Sequence, residues 1–248
     1  MSDQAPLLEV KSISKRFGGV HALESVSLSL FSGEVVALAG DNGAGKSTLI
    51  KIIAGVYRPD GGEVWFMGAP HTFETPEAAR NSGIETIYQD LALADNLDVG
   101  SNIFLGREPM RSWFGIKVLD RHKMREVARA TAEALDIEIK SFDSPVRNLS
   151  GGQRQAVAIG RAIHWDARII MMDEPTAALG VAEQRKLFSL IRTLKEQGRG
   201  IIFISHNLGD IFAVADRIVV LRRGVLAGER AKSATNPDEI VRLMVGGK

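Results

Sequence analysis

Hydrophobic positions in the first third of the chain follow two periods, and the change between them marks the elements. Val26, Leu28 and Leu30 alternate with serines, and Ser32-Gly33 then turns the chain into the apolar run Glu34 to Ala39. That pattern predicts a hairpin leading into a buried strand. The glycine-rich segment Gly40 to Gly45 follows directly, and beyond it Leu49, Ile50, Ile52, Ile53 and Val56 recur at helical spacing. Arg58-Pro-Asp-Gly-Gly62 breaks the helix before a short strand at Val64 to Phe66. Thr75-Pro76 has the form of a helix cap with proline in the first turn, and Gly83 ends that helix before the strand Ile84 to Tyr88. Gln89 opens a long polar loop.

From about residue 93 to residue 165 the β-rich character disappears, and Asp120 to Leu135 carries helical spacing through Met124, Val127, Ala128 and Leu135. This predicts a helical insertion. Strand patterns return at Arg168 to Met172, Ile201 to Ile204 and Arg217 to Leu221, and Leu187, Ile191 and Leu194 share one face of a helix between them. Alternation of this kind implies an α/β fold with a parallel sheet covered by helices. With no repeat, low-complexity tract or linker, residues 1–248 read as one domain, its core at about 1–92 and 166–248 and a helical subdomain at about 93–165.

Composition narrows the functional classes. Lys plus Arg number 31 against 30 Asp plus Glu, so no whole-molecule field favours nucleic acid, and none is expected as a partner. Anion recognition must be local. The chain has no cysteine, which excludes a disulfide framework and a thiolate metal site. Its apolar runs fall far short of the roughly 20 residues a spanning helix needs, and Met-Ser-Asp-Gln at the start lacks a secretory pattern, so a cytoplasmic location is expected.

Gly40-Asp41-Asn42-Gly43-Ala44-Gly45-Lys46-Ser47-Thr48 matches the phosphate-binding P-loop, and it lies between a predicted strand and a predicted helix as its chemistry requires. Glycines let the backbone wrap an anion, exposed N–H groups and the helix N-terminus face the phosphates, Lys46 reaches the β and γ oxygens, and Ser47 ligates magnesium. The apolar strand Arg168 to Met172 ends in Asp173 and Glu174, at the strand end where open α/β sheets bind ligands. There Asp173 suits the metal and Glu174 suits a general base that orients and polarises water. Leu149-Ser150-Gly151-Gly152-Gln153-Arg154-Gln155 precedes a second apolar helix with Ser150 placed as its N-cap, which makes another anion site on a helix terminus.

With these motifs in this order, the whole chain resembles the nucleotide-binding subunit of ATP-binding cassette transporters. The resemblance implies a P-loop NTPase fold, with a RecA-like parallel sheet, an antiparallel β subdomain and a helical signature subdomain, hydrolysing ATP with Mg2+. It implies an adenine-stacking role for Phe17 in Lys15-Arg-Phe-Gly-Gly19 and a contact of Gln89 with magnesium and the attacking water, where the membrane partner docks. It also implies a γ-phosphate contact for His206, after the strand Ile201 to Ser205. None of the three is distinctive alone; an isolated aromatic, glutamine or histidine is more often packing or surface. The family closes two copies head to tail, so that Ser150, Gly151, Gly152 and Gln153 meet the nucleotide held by the other subunit's P-loop.

Gly18-Gly-Val-His-Ala-Leu23, Tyr88-Gln-Asp-Leu-Ala-Leu93, Asn102-Ile-Phe-Leu-Gly-Arg107 and Thr176-Ala-Ala-Leu-Gly180 are similar to bacterial monosaccharide importer ATPases. The expected partners are a second cassette, in a homodimer, an integral membrane permease and, through it, a sugar-binding protein. Gly180 departs from the family pattern, which commonly has aspartate there and uses it across the dimer. The alternative reading is a soluble cassette ATPase serving cofactor assembly, which would share every phosphate motif.

Overall fold

The computed structural model describes residues 5–135, 137–177 and 179–246. Ala178 in the Thr176 to Gly180 segment, the Met-Ser-Asp-Gln start and the last two residues of the 1–248 domain lie outside them. The chain opens with β1 (Leu8–Phe17) and β2 (Val20–Leu30), followed by β3 (Val35–Ala39), α1 (Lys46–Ile53), β4 (Gly61–Phe66) and β5 (Ala69–His71). Next come α2 (Pro76–Asn81), β6 (Ile84–Ile87), α3 (Val99–Ile103), β7 (Met110–Trp113), β8 (Ile116–Leu119), α4 (Arg121–Ala134) and α5 (Gly151–His164). The remainder is β9 (Ile169–Asp173), α6 (Val181–Glu196), β10 (Gly200–Ile204), α7 (Leu208–Val214), β11 (Arg217–Arg222), β12 (Val225–Ala231) and α8 (Pro237–Val245).

Six strands in the order β12-β11-β3-β10-β9-β6 form the central sheet, parallel except for the edge strand β12. Four antiparallel strands, β2-β1-β4-β5, form a second sheet. The alternation of strand side chains decides what each face covers. Leu38, Met171, Ile202 and Val219 pack with α1 and the antiparallel sheet, while Ala37, Ile170, Phe203 and Ile218 pack under α5, α6 and α7. A separate apolar cluster, including Val99, Ile103, Phe104, Met124, Ala128 and Val157, joins α3, α4 and α5.

Two expectations are corrected. β2 does not form a hairpin with β3; its partner is β1, and Ser32-Gly33 carries the chain from one sheet to the other. The serines of β2 fit a half-exposed antiparallel strand, whereas Val35 to Ala39 is buried throughout and requires neighbours on both sides, which β10 and β11 supply. The segment 93 to 165 is not purely helical either, because β7 and β8 pair within it as a two-stranded ribbon.

Candidate functional site

The strand order brings the C-terminal ends of β3, β9 and β10 side by side, with β10 between the other two. The segment Gly40 to Gly45 leaves β3 and enters α1 through backbone that L side chains rarely adopt, with φ of 148° at Gly40 and 105° at Gly45. A Cβ on Gly40 would lie 2.3 Å from the Leu221 carbonyl oxygen, and one on Gly45 would lie 2.7 Å from both the Ala22 carbonyl oxygen and Leu23 Cδ2. Asp41, Asn42 and Gly43 are exposed, Ala44 is buried, and Gly45 and Thr48 are half-buried. The turn between β11 and β12 braces the loop: Gly224 N donates to Ala44 O at 3.0 Å, and Glu24 N on β2 donates to Gly224 O at 2.8 Å.

Lys46 is buried and donates from Nζ to the carbonyl oxygens of Gly40 at 2.6 Å and Asp41 at 3.0 Å, which holds the loop curled around its ammonium. Burial lowers its pKa, opposed by the nearby charges of Glu174, Asp173 and Asp41. Ser47 Oγ donates to Asp173 Oδ2 at 3.4 Å, linking the start of α1 to the end of β9. Burial, and then the charge of Glu174, raise the Asp173 pKa, while the Ser47 hydrogen bond and Lys46 act against them.

Glu174 has φ +51°, left-handed backbone for a residue with a Cβ, held in place by Glu174 N donating to Ile204 O at 3.0 Å. Such a conformation costs of order 1–3 kcal/mol and persists only where surroundings enforce it. Its carboxylate lies 2.8 Å from His206 Nδ1, and the histidine side chain is 71% exposed against 14% for the glutamate. A largely shielded base thus stands beside a solvent-facing imidazole, with the P-loop cation and Asp173 nearby. Gln89 is exposed two residues beyond Ile87, whose β6 position pairs with Met172 of β9. Phe17 ends β1 with 43% of its surface exposed and its ring edge-on to Tyr57 at 5.2 Å.

Ser150 caps α5 reciprocally: Gln153 N donates to Ser150 Oγ at 3.3 Å and Ser150 N donates to Gln153 Oε1 at 2.8 Å. Gln153 Nε2 also donates to Glu138 O at 2.7 Å, while Gly151 is exposed and Gly152 faces Glu183 of α6 closely enough that a Cβ would meet its Cγ at 2.7 Å. Among the described residues no hydrogen bond or ion pair joins Ser150 to Gln153 with residues 40–48 of the same chain. Gly180 stands as the N-cap of α6 with no side chain to cap it.

Sequence reasoning missed a groove of about 600 Å³ between α2, β6 and α5, lined by Arg80, Glu85, Tyr88, Arg107, Arg161 and Trp165. Glu85 is buried at its floor, and desolvation raises its pKa against the pull of Arg161, Arg80 and Arg107. The strand pattern Ile84 to Tyr88 contains the acid without signalling that Arg107 and Arg161, from segments farther along the chain, join Arg80 around it.

A family model described as ABC transporter matches residues 23–177. The chain belongs to the ABC transporter family. It is 50% identical over 244 residues to the xylose/arabinose import ATP-binding protein XylG of Sulfolobus acidocaldarius, covering 98% of this chain and 94% of that protein. It is 47% identical over 242 residues to the ribose import ATP-binding protein RbsA 2 of Streptomyces avermitilis, where it spans 98% of its own length but only 47% of the relative. Among solved structures it resembles the dimeric post-hydrolysis state of the ATP-binding cassette MJ0796 bound to ADP and Pi, with TM-score 0.77 and 26% identity over 91% of this chain and 98% of that one. The ABC-family chain is thus a nucleotide-binding ATPase with the P-loop NTPase fold, and no helix among its described residues is long and apolar enough to cross a membrane.

Proposed function

We propose that this ABC ATPase powers import of a sugar, a monosaccharide of the pentose class, through a separate membrane permease. The observation that carries the chemistry is the convergence of Lys46, Ser47, Asp173, Glu174 and His206 at the ends of β3, β9 and β10. The cargo class rests on similarity to proteins named for xylose/arabinose and ribose import.

In this reading Lys46 exchanges its two carbonyl partners for the β and γ oxygens of ATP, and the backbone N–H groups of residues 40 to 48 take the remaining phosphate charge. Phe17 stacks on the adenine. Ser47 Oγ and Asp173 Oδ2 offer two hard oxygens 3.4 Å apart, close to the roughly 3 Å that neighbouring ligands of an octahedral Mg2+ require, with Gln89 as a further oxygen donor. Magnesium bound there would neutralise charge developing on the phosphates. Glu174 accepts the proton of the attacking water, and His206 faces the γ-phosphate while its Nδ1, 2.8 Å from the Glu174 carboxylate, holds that carboxylate in position.

The signature residues Ser150 to Gln153 are exposed or half-buried and, among the described residues, make no hydrogen bond or ion pair with residues 40–48 of their own chain, which supports a role for them on the nucleotide of a second copy in a homodimer. ATP then favours the closed dimer because the α5 terminus gains its anion only there, and hydrolysis removes that contact. The groove floored by Glu85 adjoins Gln89 and is where the permease docks, with the protein peripheral on the inner face of the membrane and a sugar-binding protein acting through the permease. The core of about 1–92 and 166–248 and the helical subdomain of about 93–165 are the two bodies whose relative motion carries the signal.

The test is steady-state phosphate release at several protein concentrations, for the unaltered chain and for Glu174→Gln, followed by co-purification with an integral membrane protein. Turnover should rise more than linearly with protein concentration and fall by about 10²-fold or more in the variant. Equal turnover in the two proteins would remove the assignment of Glu174, and a strictly linear dependence would remove the composite site.

A further inference from the structure

Among the described residues β7 and β8 pair only with each other, and the base of their ribbon is closed by Asp120 N donating to Pro109 O at 2.8 Å. The chain enters the ribbon directly from Arg107 and Glu108 on the rim of the groove. Apolar side chains stand out from it: Phe114 is 91% exposed, Ile116 64% and Met110 53%. The turn has φ +49° at Phe114 and +82° at Gly115, the two left-handed positions of a tight hairpin turn. Asparagine, aspartate or glycine suits the first of these, and a bulky aromatic there is strained.

The charge along the ribbon is predominantly positive. Residues 109 to 123 contain Arg111, Lys117, Arg121 and Lys123 against the single acid Asp120, in a chain whose total is only +1. All four basic side chains are exposed, and among the described residues none of them is in an ion pair. Asp120 does not offset them freely, because its carboxylate caps α4 by accepting from Lys123 N. Exposed apolar and aromatic side chains flanked by unpaired lysines and arginines match the interface of an anionic lipid leaflet, where rings sit at headgroup depth and the cations meet lipid phosphates.

We infer that the β7–β8 hairpin is a membrane-surface anchor that seats Phe114 and Ile116 among the headgroups of an anionic bilayer. Its orientation rests on the permease-docking reading of the adjoining groove, since a ribbon springing from that rim faces the same side. Its chemistry does not depend on that reading. Each cation brought to the surface contributes about fivefold in partitioning, which makes the attachment reversible and sensitive to salt.

The purified full chain would be sedimented with vesicles of phosphatidylcholine alone and with vesicles containing about 30% phosphatidylglycerol, a fraction that gives an anionic surface. Binding is expected only to the anionic vesicles, weakening as salt rises. Phe114→Asn combined with Ile116→Ser should lower it by about tenfold or more while relaxing the turn and leaving thermal stability intact. Arg111→Glu with Lys117→Glu should abolish the preference for phosphatidylglycerol. Equal binding to both vesicles, no binding to either, or undiminished binding by Phe114→Asn/Ile116→Ser overturns the inference. Capture of the chain by an integral membrane protein in detergent without vesicle binding also overturns it and assigns the ribbon to a protein contact. ATP turnover of the same samples reports separately on the ATPase reading.

Discussion

Two glycines in the phosphate loop separate a backbone cost from a packing cost. Gly43 has φ +79° with nothing within 4 Å of the place an added methyl would take, whereas Gly45 has φ +105° and would drive a methyl to 2.7 Å from both Ala22 O and Leu23 Cδ2. Gly43→Ala therefore carries only the left-handed penalty, about 1–2 kcal/mol. Gly45→Ala carries at least that, plus about 1–3 kcal/mol for forcing apart α1 and the buried Leu23 of β2, about 3.5 kcal/mol in the middle of the range. For a chain of this size one kcal/mol moves the midpoint by about 2–4 °C, so Gly43→Ala should lower Tm by about 4 °C and Gly45→Ala by about 10 °C. Thermal unfolding by circular dichroism, with urea titration to check that the slope is unchanged, measures both. Equal shifts in the two variants would refute the reasoning, because the close approach of Gly45 to β2 would then have no energetic consequence.

Two further outcomes follow from the site. Ser150→Ala removes one half of the reciprocal cap on α5 and should lower stability by about 1 kcal/mol in urea unfolding, with a larger loss of turnover than that destabilisation explains. Asp173 has its pKa raised by burial and by Glu174, so its ionised form penalises the nucleotide-free fold above that pKa, and the penalty fades as pH falls through it toward the ordinary 3.8. Asp173→Asn should raise Tm in the absence of nucleotide near pH 8, with the gain shrinking toward pH 4, while turnover is lost; a gain that grows on acidification would reverse the assigned sign.

The parts of the fold that are legible in the sequence are those fixed by local rules. Val35 to Ala39, the glycines after it, the helix through Leu49 and Ile53, and the apolar strand ending at Asp173 each carry their own signature over a few residues. The Ser150 cap is legible because its partner Gln153 is three positions away. Pairing partners are not. The true neighbour of β2 is obscured because β1 is bulged, with register shifts between Val10 and Lys15 that break its alternation. The β7–β8 ribbon is hidden because Met110, Phe114, Ile116 and Leu119 face solvent, so its pattern lacks the buried face from which strands are read. In the candidate site, residue types are readable, but the left-handed backbone of Glu174, its contact with His206 and the arginines around Glu85 depend on the meeting of distant segments.

The bracing of the phosphate loop by Gly224 divides the molecule into what can shift and what cannot. Because one glycine receives Glu24 N on its carbonyl and gives its own N–H to Ala44, the loop, the β11–β12 turn and the antiparallel sheet are stitched into a single stiff block. Sliding any of the three against the others would break backbone hydrogen bonds and press Gly224 into Ala22, where even a methyl would sit 2.9 Å from the carbonyl oxygen. Filling the loop with nucleotide therefore cannot be absorbed at the rim that bears Phe17. The polar connection after β6 is tied into that block by neither of these bonds, so displacement is expected there instead.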